Sequence, residues 1–159
     1  MSSPIVSAST GHRAGIQALH HIGFVVESIA ESAERMTRAL GGRWDGRLVH
    51  DPLQQARVTF VSGARPGDPL IELVEPESDD SHLCAHLRKH GAGLHHLCYE
   101  VDALDDQLAA SRAAGALIAR PPAPAVAFDG RRIAWVYTRD KLLLEYLERH
   151  AEHGRSRNP

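Results

Sequence analysis

Apolar positions recur along this chain with two different periods. Over residues 29–40, 82–90 and 104–114 they return every three to four positions, which is the period of an amphipathic helix. Gly41 and Gly115 follow the first and the last of these segments, and glycine readily takes the left-handed conformation that ends a helix. Shorter stretches are rich in the apolar and β-branched residues that favour strands. These predicted strands cover residues 19–26, 57–61, 70–73, 94–101, 132–136 and 143–146.

The same elements occur twice along the chain. The sequence LHHI at residues 19–22 returns 75 positions later as LHHL at residues 94–97. The strand RVTFV at residues 57–61 returns, again 75 positions later, as RIAWV at residues 132–136. Each copy reads strand, helix and then two or three strands. The chain is therefore predicted to be an α+β protein built from two equivalent modules.

The repeat also sets the expected limits of the domain. A single domain is expected at residues 17–149, between a flexible tail at 1–16 and a second tail at 150–159. Within the domain, the modules at 17–76 and 93–149 are joined by a helical linker at 77–92. The proline-rich sequence PPAP at residues 121–124 is expected to form a rigid loop, because proline fixes its backbone and lacks an N–H donor.

Composition and charge narrow the class of protein. The 159 residues carry 18 Lys and Arg against 20 Asp and Glu, and this net charge of −2 argues against nucleic-acid or anionic-membrane binding. No apolar run approaches the ~20 residues that span a bilayer, and the first residues lack the features of a secretory signal. With two cysteines, the chain is expected to be a reduced, cytoplasmic protein. The 11 histidines are unusual, and their positions decide whether they serve metal chemistry.

Four residues of the repeat could form a metal site. Alternation places His21 on the strand face opposite the apolar residues that would pack on the next helix, and His96 is its repeat counterpart. Glu72 and Glu145 lie between apolar neighbours, where an unpaired carboxylate is costly. If the modules pack about a pseudo-twofold axis, these four side chains converge. Two imidazoles and two carboxylates suit a divalent cation such as Co, Ni, Zn, Mn or Fe.

At this point, ordinary structural roles for these residues are alternatives to metal binding. Glu72 could be a charge on an edge strand, and Glu145 could belong to a helix over residues 142–150. His20 and His95 precede the candidate ligands and, by alternation, are expected to face away from the site. Four further histidines are expected to be structural or to support the ligands: His50, His82, His86 and His90. The Cys98 thiol is expected either to lie in the core or to line the site.

Five segments carry a resemblance to a known family. They are residues 19–26 (LHHIGFVV), 70–76 (LIELVEP), 79–93, 93–102 (GLHHLCYEVD) and 143–148 (LLEYLE). Together they resemble the vicinal oxygen chelate superfamily, and within it the methylmalonyl-CoA epimerases, over about residues 17–149. The resemblance implies paired βαβββ modules that form a cupped, mixed and mostly antiparallel β-sheet around a metal.

The resemblance also implies a ligand set, a reaction and partners. The implied ligands are His21, Glu72, His96 and Glu145, of which Glu145 resembles a residue that both binds metal and accepts a proton. The implied reaction is an epimerisation or isomerisation that starts with proton removal α to a carbonyl or thioester, with the metal stabilising the enolate as a Lewis acid. The implied partners are a small-molecule substrate, either an acyl-CoA or a carrier-bound acyl group, and a second copy in a homodimer.

The sequence departs from the epimerases at three places. Leu53 stands where those enzymes place a second catalytic Glu, and leucine cannot exchange a proton. His50 or Asp51 is therefore predicted to take its place. The family's His-Gly before the seventh strand is Asp-Gly at residues 129–130, and its Gly-Gly turn before the last strand is RDKL at residues 139–142. Both loops help to hold the acyl-CoA, so these departures point to an altered substrate.

Two other functions fit parts of the pattern. His21, His96 and Glu145 alone would form the two-His-one-carboxylate site of a non-haem iron dioxygenase, but Glu72 would occupy a position that O₂ or substrate needs. A non-catalytic small-molecule-binding protein of the same superfamily would usually lose the ligands and line the cup with aromatic residues. Here aromatic residues make up 5% of the chain and the candidate ligands are present. The epimerase or isomerase is therefore the favoured prediction.

Overall fold

The computed structural model of the protein describes residues 16–149. Three α-helices and nine strands occur there in the order β1 (Ile16–Val25), α1 (Ile29–Leu40), β2 (Arg43–Trp44), β3 (Val49–Asp51), β4 (Ala56–Ser62), β5 (Leu70–Pro76), α2 (His82–His90), β6 (Gly93–Val101), α3 (Leu104–Ala113), β7 (Leu117–Pro124), β8 (Arg132–Tyr137) and β9 (Leu143–Glu148), with a short 3-10 helix at Val126–Phe128. The predicted helices are confirmed, and the third ends one residue early. Glu145 lies in β9, so the alternative of a helix there is wrong. The predicted tails lie outside the described residues, apart from Ile16.

Local sequence explains where α1 begins and ends and where α2 begins. The Ser28 hydroxyl accepts a hydrogen bond from the backbone N–H of Glu31 (3.4 Å), and Gly41 ends α1 with a φ of 65°. The Ser81 hydroxyl accepts from the backbone N–H of Leu83 (3.3 Å) at the start of α2. No helix within residues 16–149 is long and apolar enough to cross a membrane.

The nine strands form one curved sheet whose two halves are equivalent. The strand order is β2-β4-β5-β1-β6-β9-β8-β7, with β3 paired to β4. The first strands of the two modules, β1 and β6, pair antiparallel at the centre. On its other side each pairs in parallel with the last strand of its own module, β5 or β9. The sheet therefore has the pseudo-twofold arrangement that the repeat predicts, and it is mixed, as expected.

The two faces of the sheet are covered differently. Helices α1 and α3 both pack on one face, α1 over Val61 and Leu73 and α3 over Val101 and Val136. Helix α2 packs on the opposite face through Leu83. Strand alternation puts His21, Glu72, His96 and Glu145 on this opposite face.

The proline-rich residues 121–124 form part of β7, so the prediction of a loop there is wrong. β7 is an edge strand, and proline is tolerated at an edge because the missing N–H leaves no ladder position unpaired. The pairing of β7 with β8 shifts register on both sides of Arg120. Such irregularities change the direction in which nearby side chains point.

Candidate metal centre

Strand pairing brings together four residues that are far apart in the sequence. Gly23 of β1 pairs with both Glu72 and His96, on the strands to either side. Cys98 of β6 pairs in the same way with His21 and Glu145. Directly opposed residues point to the same face of a sheet. Glu72 and His96, from the first set of paired residues, therefore meet His21 and Glu145, from the second, on one face of the sheet near β1 and β6.

The four side chains are closely spaced and buried. The Nε2 atoms of His21 and His96 are 3.0 Å apart. The Oε2 atom of Glu145 lies 3.1 Å from His21 Nε2 and 3.3 Å from His96 Nε2. The Oε2 atom of Glu72 lies 3.4 Å and 3.2 Å from the same two nitrogens. No residue of this cluster is more than 4% exposed, and the potential ligand atoms all lie within 4.8 Å of one another.

The chemistry of the cluster fits a divalent cation. Two carboxylates are buried in a protein interior, where uncompensated charge is expensive. The buried Oε2 atom of Glu145 accepts no hydrogen bond. A divalent cation held by the four residues would give this oxygen a partner and neutralise both carboxylates. Two imidazole nitrogens and two carboxylate oxygens suit Zn, Co, Ni, Mn or Fe.

The electrostatics of the cluster agree with that view. Burial alone would lower the pKa of His21, but the Glu72 carboxylate together with Cys98 and Glu145 outweighs it, and the pKa of His21 is raised well above its usual range. Burial alone would raise the pKa of Glu72, but His21 and then His96 outweigh it, and the pKa of Glu72 is lowered. The cluster therefore keeps its carboxylates ionised and stabilises a positive charge beside them, which is what a bound cation would provide.

His20 and His95 do not face away from the site, contrary to the expectation from simple alternation. The pairing of β1 with β6 shifts register at these two positions, so each contributes one extra residue to its strand. Such a bulge turns two successive side chains toward the same face. The rings of His20 and His21 both contact Phe128, and those of His95 and His96 both contact Trp135.

Each bulged histidine instead supports a candidate ligand. The Nδ1 atoms of His20 and His21 are 2.9 Å apart, and those of His95 and His96 are 3.1 Å apart. Burial lowers the pKa of His95 to about 3, with His96 adding to the effect, and burial likewise lowers the pKa of His20. Both are therefore neutral at pH 7 and can accept a hydrogen bond at Nδ1. That bond leaves Nε2 of His21 and His96 free to bind a metal.

Replacing a supporting histidine is expected to weaken metal binding without abolishing it. His20→Ala removes the hydrogen bond that orients the His21 ring. Loss of such a partner typically lowers metal affinity by about 10–100-fold. Titration with Co²⁺ measures the change, and His90→Ala is the control because His90 is exposed on α2. Equal affinities in the His20 variant and the control would contradict the supporting role.

Sequence reasoning missed Gly23, which makes room for His96. A Cβ atom at Gly23 would lie 2.0 Å from Cε1 of the His96 ring, far inside van der Waals contact. Position 23 must therefore be glycine for His96 to reach the cluster. One feature of the repeat indicated that this position needs a small residue. Cys98, the residue equivalent to Gly23, is also small and fully buried. Cys98 lies in the core and also borders the site, where its sulfur is within 4.8 Å of ring nitrogens of His20 and His21, so both expectations for it hold.

The two predicted substitute bases point to opposite faces. His50 pairs with Arg57 across β3 and β4, contacts Glu77 and is exposed. Arg57 pairs with Glu75, which lies on the α1 side, so His50 points away from the candidate metal centre. Asp51 is buried and pairs with Ala56, which packs on the face of α2 and of the centre.

The Asp51 carboxylate already has partners in its own turn. It accepts from the backbone N–H groups of Leu53 (2.9 Å) and Gln54 (3.2 Å) and from the Gln54 side chain (2.8 Å). Leu53 itself is 60% exposed at the tip of this turn. The structure therefore brings together His21, Glu72, His96 and Glu145, places Asp51 on their face, and does not bring His50 to them.

Comparison with known proteins identifies the family. The chain matches the Glyoxalase/Bleomycin resistance protein/Dioxygenase superfamily over residues 20–135. The uncharacterized protein YqjC of Bacillus subtilis is 31% identical over 142 residues, which cover 85% of this chain and 97% of that protein. The ethylmalonyl-CoA/methylmalonyl-CoA epimerase of Cereibacter sphaeroides is 28% identical over 129 residues, covering 79% and 91%. The chain belongs to this superfamily, also called vicinal oxygen chelate proteins, as its sequence motifs predict.

A solved structure supports the same fold. The crystal structure of methylmalonyl-CoA epimerase from Mycobacterium tuberculosis superposes with a TM-score of 0.74 at 22% identity. The match covers 88% of this chain and 93% of that one. At this identity the likeness establishes the fold, and the chemistry must be argued from the residues of the site.

Proposed function

We propose that this protein is a metal-dependent epimerase or isomerase that removes a proton from the carbon α to a carbonyl or thioester. The buried cluster of two imidazoles and two carboxylates carries the proposal, and the likeness to the Cereibacter epimerase supports it. The ligands are His21, Glu72, His96 and Glu145, holding Co, Ni, Zn, Mn or Fe. The substrate is a small acyl-CoA or carrier-bound acyl group, and the protein acts in the cytoplasm as a homodimer.

The cluster offers both parts of the chemistry that such a reaction needs. The bound cation supplies Lewis-acid stabilisation of the negative charge that develops as the α-proton leaves. Glu145 is the proposed proton acceptor, because its carboxylate is buried in the cluster at which the reacting carbon would be held. The aromatic rings of Phe128 and Trp135 pack on His21 and His96 and keep water from the other sides of the ligands.

Glu72 favours the epimerase over a dioxygenase of the same superfamily. Its Oε2 atom lies within 3.4 Å of both imidazole nitrogens, so it belongs to the cluster as fully as Glu145 does. A two-His-one-carboxylate iron site needs that position open. Metal-loaded protein is therefore expected to interconvert the two epimers of methylmalonyl-CoA, or of a related acyl thioester, without O₂ uptake. Oxygen consumption without epimerisation would favour the dioxygenase instead.

Of the two substitute bases, we propose Asp51 as the second proton-exchanging group. It lies on the face of the centre, whereas His50 lies on the other face beside Glu77. Its three hydrogen bonds come from residues 53 and 54, so movement of this short turn would release the carboxylate.

The two candidates can be separated by matched variants. Asp51→Asn is expected to lower the epimerisation rate by about 100-fold, the lower end of the usual effect of general acid–base catalysis. His50→Ala is expected to leave the rate unchanged, because its side chain points away from the centre. Steady-state rates with methylmalonyl-CoA measure both. A large loss in the His50 variant with none in the Asp51 variant would reverse the assignment.

A further inference from the structure

Arg120 lies between two small cavities on the face that holds the candidate metal centre. One cavity has a volume of about 110 Å³ and reaches His82 and His95, and the other has about 40 Å³ and reaches Leu53. Both are bounded by Gln54, Arg120 and Trp135. Trp135 also packs edge-on against the His96 ring, with the ring centroids 4.6 Å apart. Through Trp135, both cavities therefore lie next to the candidate metal centre.

Strand pairing fixes how far Arg120 lies from the cluster. Arg120 of β7 pairs with Trp135 of β8, which in turn pairs with Glu145 of β9. Neighbouring strands are about 4.8 Å apart, so the backbones of Arg120 and Glu145 are separated by roughly 10 Å. The three residues form one row that leads from the cluster to the edge of the sheet.

The guanidinium of Arg120 has no carboxylate partner among residues 16–149. Its polar contacts are the Leu53 carbonyl oxygen and His82 Nδ1, each at 3.5 Å. Other arginines of the second module are paired: Arg131 donates to Glu100 at 2.9 Å and Arg132 to Glu148 at 2.7 Å. A guanidinium has five N–H donors, so most of those of Arg120 are available to a ligand.

The surroundings of Arg120 make an anion its best ligand. It is half-buried, and the 40 Å³ cavity beside it is lined by apolar residues that include Ile133 and Trp135 and by Asp51, whose carboxylate is already hydrogen-bonded within its own turn. Its positive charge is therefore only partly solvated. Arginine in such a setting binds carboxylate or phosphate oxygens through paired, charge-assisted hydrogen bonds.

We propose that Arg120 binds an oxyanion of the substrate while the carbon that loses its proton lies at the candidate metal centre. This inference rests on the proposed function and specifies it further, because it requires a substrate with an anionic group beyond the reacting carbon. Two parts of an acyl-CoA carry such a group. One is a carboxylate on the acyl chain, and the other is a phosphate of the CoA.

Direct binding measurements with three ligands separate these sources. Co²⁺-loaded protein is titrated calorimetrically with methylmalonyl-CoA, with propionyl-CoA, which lacks the carboxylate, and with the methylmalonyl thioester of N-acetylcysteamine, which lacks the phosphates. Arg120→Ala is expected to weaken methylmalonyl-CoA binding at least tenfold, and Arg120→Lys is expected to recover part of the loss. Arg112→Ala is the control, because Arg112 is exposed at the end of α3.

The pattern of losses decides the proposal. A loss with both CoA esters but not with the N-acetylcysteamine ester identifies a phosphate. A loss with both methylmalonyl esters but not with propionyl-CoA identifies the carboxylate. Equal affinities of wild type and Arg120→Ala for all three ligands would overturn the role of Arg120 and leave the proposed function standing. If metal-loaded wild type binds none of them, this inference fails, whereas the proposed function is decided separately by proton exchange with other acyl thioesters.

Discussion

Gly23→Ala is expected to remove stoichiometric metal binding while the fold is retained. The added methyl group would lie 2.0 Å from Cε1 and 2.5 Å from Nε2 of His96. β1 and β6 are held together by central pairing of the two modules, so the backbone has little freedom to yield. The imidazole must then leave the cluster, and one of the four ligands is lost. Metal content after loading with excess Co²⁺ and desalting measures the effect.

A matched glycine provides the control for this variant. Gly93 also lies in a central strand, but a Cβ atom there has no neighbour within 4 Å. Gly93→Ala is therefore expected to retain metal. Circular dichroism of both variants shows whether the sheet is intact. Full metal content in Gly23→Ala would mean that His96 is not a ligand.

The double variant His96→Ala with Glu145→Ala is expected to eliminate the metal-dependent stabilisation of the protein. A ligand at 100 times its dissociation constant stabilises the native state by about 2.7 kcal/mol. For a chain of this size that corresponds to a rise in Tm of roughly 5–10 °C. Wild type should show this rise on addition of Co²⁺, and the double variant should show none. Thermal unfolding with and without metal measures both.

An exposed pair on the opposite face is the matched control for that experiment. His50 and Glu77 contact each other on the α1 side of the sheet. His50→Ala with Glu77→Ala removes the same two residue types, and its Tm is expected to rise with Co²⁺ as in wild type. An undiminished rise in the His96 and Glu145 variant would place the metal elsewhere.

Much of the fold can be predicted from the sequence because the same elements occur in both modules, so that each module supports the assignment made in the other. The bounds of α1 and α2 follow from their periodicity, from Ser81 before α2 and from glycine after α1. The convergence of His21, Glu72, His96 and Glu145 follows from their equivalent positions in two modules that face each other. Burial of two glutamates in apolar strands was itself a signal, because such residues need a shared partner.

Other features depend on contacts that one strand cannot reveal. Alternation fails at His20 and His95 because the bulges arise from the pairing of β1 with β6. The face of His50 depends on how β3 pairs with β4. The proline-rich segment belongs to a strand because it lies at an edge, which only the strand order shows. The need for glycine at position 23 comes from a ring on the neighbouring strand.

Proton exchange at the α-carbon tests the central claim most directly. Protein loaded with Co²⁺ is incubated with methylmalonyl-CoA in D₂O, and the α-proton signal is followed by NMR against protein without metal and against buffer alone. The account predicts metal-dependent loss of this signal that is abolished in Gly23→Ala, whereas Asp51→Asn is expected to slow epimerisation about 100-fold and to leave the exchange that Glu145 performs on one epimer. Absence of exchange for methylmalonyl-CoA and for other acyl thioesters, in protein shown to hold one metal ion per chain, would contradict it.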